Sequence, residues 1–182
     1  MANSLMATFE ELSPKSSPMF EHLAHRRIAV CGPQRSGTRI TAKIIAHDTG
    51  LRYVDEQEFG TLNYARWEEL LRTTDGIVVH CPGMTPIVEK CQYLDTLVVM
   101  CYRSINDIEA SMERINWPDR EGCLGRYGLP NYPWLSVPAV VYMKWEREQE
   151  AQVDSLRVQY DDLRGHELFV GKRKDWAWDR TE

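Results

Sequence analysis

Gly32, Pro33, Gln34, Arg35, Ser36, Gly37 and Thr38 lie between an apolar run and an amphipathic one. Two glycines allow the backbone to turn tightly and point N–H groups outward. A helix beginning near Ser36 would add the positive end of its dipole, so this segment is expected to hold an anion. Arg35 brings a full charge and a planar fork that matches phosphate or sulfonate oxygens. Ser36 and Thr38 add hydroxyl donors. Further on, His80 closes an apolar run; imidazole changes charge near neutrality, which suits a general base. Arg103 closes a stronger apolar run, and Ser111 follows eight residues later.

A nucleotide loop of the form G-x-x-x-x-G-K-[ST] would place lysine at position 38 and a hydroxyl at position 39. This chain has Thr38 and Arg39 there. Position 39 therefore offers no magnesium ligand, and Lys43 is too far along the helix to replace the lysine. An anion handled without a metal ion is the expectation.

The motif "PQRSGT" resembles the 5'-phosphosulfate loop of sulfotransferases, commonly P-[KR]-S-G-T. Two further pieces are similar to that family. "YRSINDIEAS" places Arg103 and Ser111 as the family's pair for a 3'-phosphate, and "VVHCPG" places His80 in the short H-x-P pattern of its catalytic base. "KRKDW", residues 172–176, keeps the basic cluster and Asp-Trp of a C-terminal clamp without its glycines, which makes Arg173 and Lys174 nucleotide candidates. Arg39 and Ile40 depart from the family, which often has Thr and an aromatic there. The resemblance covers roughly residues 27–115. It implies 3'-phosphoadenosine 5'-phosphosulfate as co-substrate, bound by residues 32–38 with Arg103, Ser111, Arg173 and Lys174. It also implies sulfonate transfer to a hydroxyl of a small molecule or carbohydrate. Arg35 would then stabilise charge on the leaving oxygen, with His80 as base. Asp55, Glu56 or Glu58 could supply the base instead. Two alternatives stand beside this: a small P-loop kinase, and a P-loop module that binds a nucleotide without catalysis.

These residues need a frame that brings strand ends together. "RRIAVCG", "LRYVD", "GIVVHCPG" and "DTLVVMCYRS" read as strands and "SLRVQYDDL" as the last one. Between them, "GTRITAKIIAHDTG" should be a helix stopped by Gly50, and "NYARWEELLRTT" a helix with Trp67, Leu70 and Leu71 on one face. "TPIVEKCQYL" and "INDIEASMERI" also read as helices, as does "VPAVVYMKWEREQEAQ". Alternating strands and helices predict an α/β fold, here a P-loop-type three-layer fold with a mainly parallel five-stranded sheet. Right-handed crossovers put the loops after the strands along one sheet edge.

With 182 residues the chain suits an N-terminal arm over residues 1–25 and a single domain over residues 26–182. Residues 116–136 carry Trp117, Tyr127, Tyr132 and Trp134 among prolines and glycines, which suggests a lid or acceptor wall. The net charge of -5 argues against nucleic acid as a partner. Five cysteines without a C-x-x-C pair read as buried thiols, not a zinc site. No apolar run approaches a membrane span and the first residues do not read as a signal peptide, so a cytoplasmic location with no membrane partner is expected.

Overall fold

The computed structural model of the chain describes residues 18–23, 27–60, 63–115 and 155–169. Arg173, Lys174, the 116–136 segment, Cys123, the helix expected at 137–152 and the arm before residue 18 lie outside them. Five strands make one sheet: β1 Arg27–Cys31, β2 Arg52–Asp55, β3 Ile77–His80, β4 Leu97–Tyr102 and β5 Ser155–Gln159. Their order is β2-β3-β1-β4-β5, and every pairing is parallel. Mainly parallel therefore becomes wholly parallel among the described strands. The expected α/β layering is present.

The strands are rich in Val, Ile and Cys because both faces are covered, as parallel sheets require. Alternate residues serve opposite layers. Ala29, Cys31, Ile77, Val79, Val98 and Met100 join a core with Trp67 and Leu71 of α3 (Tyr64–Thr73) and with Met84, Val88 and Cys91. Ile28, Val30, Val78, Val99 and Cys101 join the other, with Ala42, Ile44 and Ile45 of α1 (Thr38–Thr49), Leu163 and Phe20. The expected face of Trp67, Leu70 and Leu71 is the one that docks. α1 ends at Gly50 in the left-handed conformation, as its sequence foretold.

One expectation is corrected. Residues 85–94 do not form an ordinary helix: Pro82–Tyr93 is a 3-10 segment broken at Ile87. The short α2 (Glu56–Phe59) follows β2 directly, and α4 (Ile105–Arg114) follows β4. Among the described residues no helix is long and apolar enough to cross a membrane.

Candidate functional site

Parallel pairing aligns the C-terminal ends of the strands. Asp55 of β2 is in register with His80 of β3, which is in register with Val30 of β1, while Cys31 pairs with Met100 of β4. The loops after β1, β3 and β4 must therefore leave from one rim.

Residues 32–37 are held from below. Gly32 N–H donates to Thr85 Oγ1 at 2.9 Å, and the Thr85 hydroxyl lies 3.0 Å from the Gly32 carbonyl. A Cβ on Gly32 would come within 2.7 Å of the Cys101 carbonyl, so only glycine lets β1 leave so close to β4. Ser36 is fully buried, and its hydroxyl donates to the Pro33 carbonyl at 2.6 Å. It braces the loop instead of offering a proton to a ligand. Pro33 is buried, and Gln34 and Arg35 are half-exposed.

The helix start is two residues later than the sequence suggested. Gly37 is the residue before α1, at φ 99°, and no side chain caps the helix there. The other three helices are each capped, by Asp55, Asn63 and Ser104. No N-cap side chain competes for the first turn of α1, which is the arrangement that favours an anion.

Cationic groups converge on this turn. Arg35 sits at φ 70° and donates from Nε and Nη2 to Ser111 Oγ, both at 3.1 Å. Arg103 donates from Nη1 to the Arg35 carbonyl at 3.2 Å and lies 4.1 Å above the Tyr160 ring. Its Nε is buried and has no hydrogen-bond partner among the described residues. Arg103 and Ser111 are expected to hold one phosphate together; Ser111 contacts the Arg35 side chain and Arg103 the Arg35 carbonyl, so both reach this turn.

His80 is buried and faces inward. Its Nε2 lies 3.0 Å from Thr38 Oγ1, and its Nδ1 is 3.6 Å from Asp55 Oδ2, too long for a direct hydrogen bond. Asp55 also meets Arg39 at 3.2 Å and accepts a bond from Tyr53. Arg39, the residue in the magnesium-ligand position, is therefore tied to a carboxylate. Burial alone would raise the Asp55 carboxyl, but the His80 ring, the Tyr53 hydroxyl and the Arg39 charge outweigh it and hold it far below the carboxylate range. Tyr53 is pushed well above its ordinary value by burial and by that same carboxylate. The three carboxylates named as alternative bases divide accordingly. Asp55 caps α2, and Glu58 closes the same capping box while facing Arg52. Glu56 is half-buried, and burial raises its carboxyl.

Sequence reasoning missed Tyr160, Thr85 and Tyr53. Tyr160 also abuts Gly37, where a Cβ would approach its Cδ2 within 2.4 Å. No local signal marks an aromatic that reaches the loop from the far end of the chain. No protein-family model matches the chain, and no curated protein matches it.

A second cluster lies at the opposite end of α1. His47, Asp48 and His166 place their ligand-type atoms within 4.8 Å of one another. His166 Nδ1 accepts the Leu168 N–H at 3.1 Å, so its proton sits on Nε2, which donates to Asp48 Oδ1 at 2.9 Å. Asp48 Oδ2 accepts the N–H groups of Met19 and Phe20. The hydrogen bonds use these atoms as a structural clasp.

Proposed function

We propose that the rim after β1, β3 and β4 binds a phosphorylated nucleotide through arginine and helix N–H groups. The favoured ligand is 3'-phosphoadenosine 5'-phosphosulfate, and the favoured reaction is sulfonate transfer to a hydroxyl of a small molecule or carbohydrate. The observation that carries this reading is the meeting of two segments distant in sequence, the loop after β1 and the stretch after β4: Arg35 reaches Ser111, and Arg103 reaches the Arg35 carbonyl. An oxyanion would give the Arg35 guanidinium charge-assisted bonds, which are stronger than bonds to a neutral hydroxyl. The buried Nε of Arg103, without a hydrogen-bond partner among the described residues, would gain one from the same ligand.

In this reading Arg35 and the first turn of α1 neutralise the phosphosulfate and the charge gathering on the leaving oxygen. Arg103 and Ser111 take the second phosphate. The kinase alternative finds less support: Lys43 Nζ lies over the Tyr53 ring at 5.7 Å, engaged away from the loop. Nucleotide binding without turnover remains as a second reading. The engagement of His80 Nε2 with Thr38 favours it, because that nitrogen is already in use.

Calorimetry separates the metal-free nucleotide site, common to both readings, from the kinase. Adenosine 3',5'-bisphosphate is expected to bind without magnesium, and more tightly than ATP with magnesium. A preference for magnesium ATP would contradict the proposal, as would failure of both to bind.

A further inference from the structure

The contact between Thr38 and His80 has a direction that depends on protonation. His80 Nδ1 is buried, has no hydrogen-bond partner among the described residues and faces the Asp55 carboxylate at 3.6 Å. A lone pair on Nδ1 would be repelled by that carboxylate, so neutral His80 keeps its proton there. Nε2 is then an acceptor, and Thr38 must donate its only hydroxyl proton to it across 3.0 Å. In that state the hydroxyl of Thr38, the residue that opens α1, has only oxygen lone pairs left for a ligand. Once a second proton reaches His80, Nε2–H donates to Thr38 Oγ1, and the hydroxyl keeps its proton but no longer gives it to His80.

We propose that Thr38 relays the protonation of His80 to an anion seated on residues 32–38, so that binding one oxyanion draws one proton from solvent onto His80 Nε2. The proposal rests on the anion-binding reading above. The charged and titratable groups that bear on His80 are Asp55 and Tyr53 from β2, Arg39 from α1 and Glu56 from α2. Asp55 favours the imidazolium and Arg39 opposes it. The anion adds a negative charge on the Thr38 side, which tips the balance toward protonation. By linkage, the anion binds more tightly as pH falls.

Inorganic sulfate is the probe, because it does not titrate near neutrality. Calorimetric titration of the full chain with sulfate, in buffers of different ionisation enthalpy, reads the proton count directly. Proton uptake is expected. Affinity is expected to fall by up to about tenfold per pH unit where the free protein holds His80 neutral. Thr38→Val and His80→Gln should flatten both signals, while Thr38→Ser, which keeps the hydroxyl, should retain them. Circular dichroism confirms that each variant is folded. Sulfate binding with no proton uptake and no pH dependence would overturn the relay and leave the anion site standing. Absence of sulfate binding at every pH would overturn both. Uptake that survives Thr38→Val and His80→Gln but vanishes in Glu56→Gln would assign the proton to Glu56 and overturn the relay.

Discussion

At the scale of single residues, Arg35 and Gly37 hold the loop in a shape whose cost is local. Arg35 adopts a left-handed backbone, and its side chain lies over α4, not in a core. Arg35→Ala should therefore change unfolding free energy by less than about 1 kcal/mol. Affinity for adenosine 3',5'-bisphosphate should fall by about tenfold or more, the loss of a charge-assisted contact. Urea unfolding beside calorimetry tests the split, and a collapsed fold would contradict it. Gly37→Ala should behave in the opposite way. At φ 99° any side chain is strained, and the new Cβ meets Tyr160. The expected loss is on the order of 1–3 kcal/mol for the backbone alone. Part of the total should return in a Tyr160→Ala background, where the collision is gone. Arg35, His80 and Arg103 were legible because charged residues after apolar runs fall at strand ends. The protein contacts of each were not: Ser111 meets Arg35, and His80 bonds Thr38. Sequence spacing gives the end of a strand but not the rotamer that leaves it.

At the scale of elements, the strands were easiest to read, since Val- and Ile-rich runs buried on both faces leave few alternatives. The end of α1 followed from Gly50, while its start falls two residues after the expected one. The Pro82–Tyr93 segment did not follow, because its apolar residues have helical spacing while the turn after β3 must keep Thr85 under Gly32. α3 depends on a small contact set: within it only Trp67 and Leu71 are buried, with Leu70 packed beside them. Trp67→Ala should cost about 3–5 kcal/mol. Trp67 Nε1 is buried without a hydrogen-bond partner among the described residues, so Trp67→Phe removes an unsatisfied donor together with volume and should cost distinctly less. Chemical denaturation of the two variants measures the difference, and equal losses would contradict this packing.

At the scale of the molecule, the two ends of the described chain are fastened to α1 by one carboxylate. Asp48 takes the N–H groups of Met19 and Phe20 and a bond from His166, residues 29 and 118 positions away. Nothing local in the sequence announces contacts at such separations. Burial alone would raise the Asp48 carboxyl, but the hydrogen bonds from His47, His166 and Phe20 outweigh it and lower its pKa. A carboxylate depressed in the folded state stabilises the fold above its unfolded pKa, and that contribution is lost as pH falls through the folded value. Acid should therefore weaken the wild-type fold below the ordinary carboxylate range, and Asp48→Asn should lack that leg of the stability profile. Thermal unfolding across acid pH tests this; identical profiles would contradict it. The same His166 ends the 3-10 turn Tyr160–Gly165, so the clasp also sets the Tyr160 ring under Arg103.

The claim that the strand-end loops form one pocket for a doubly phosphorylated adenosine is tested most directly by a crystal structure grown with adenosine 3',5'-bisphosphate and no added magnesium. One phosphate is expected on the N–H groups opening α1 with Arg35 beside it, and the other within reach of Arg103. Nucleotide density away from Arg35 and Arg103, or an empty rim at saturating nucleotide, would contradict it.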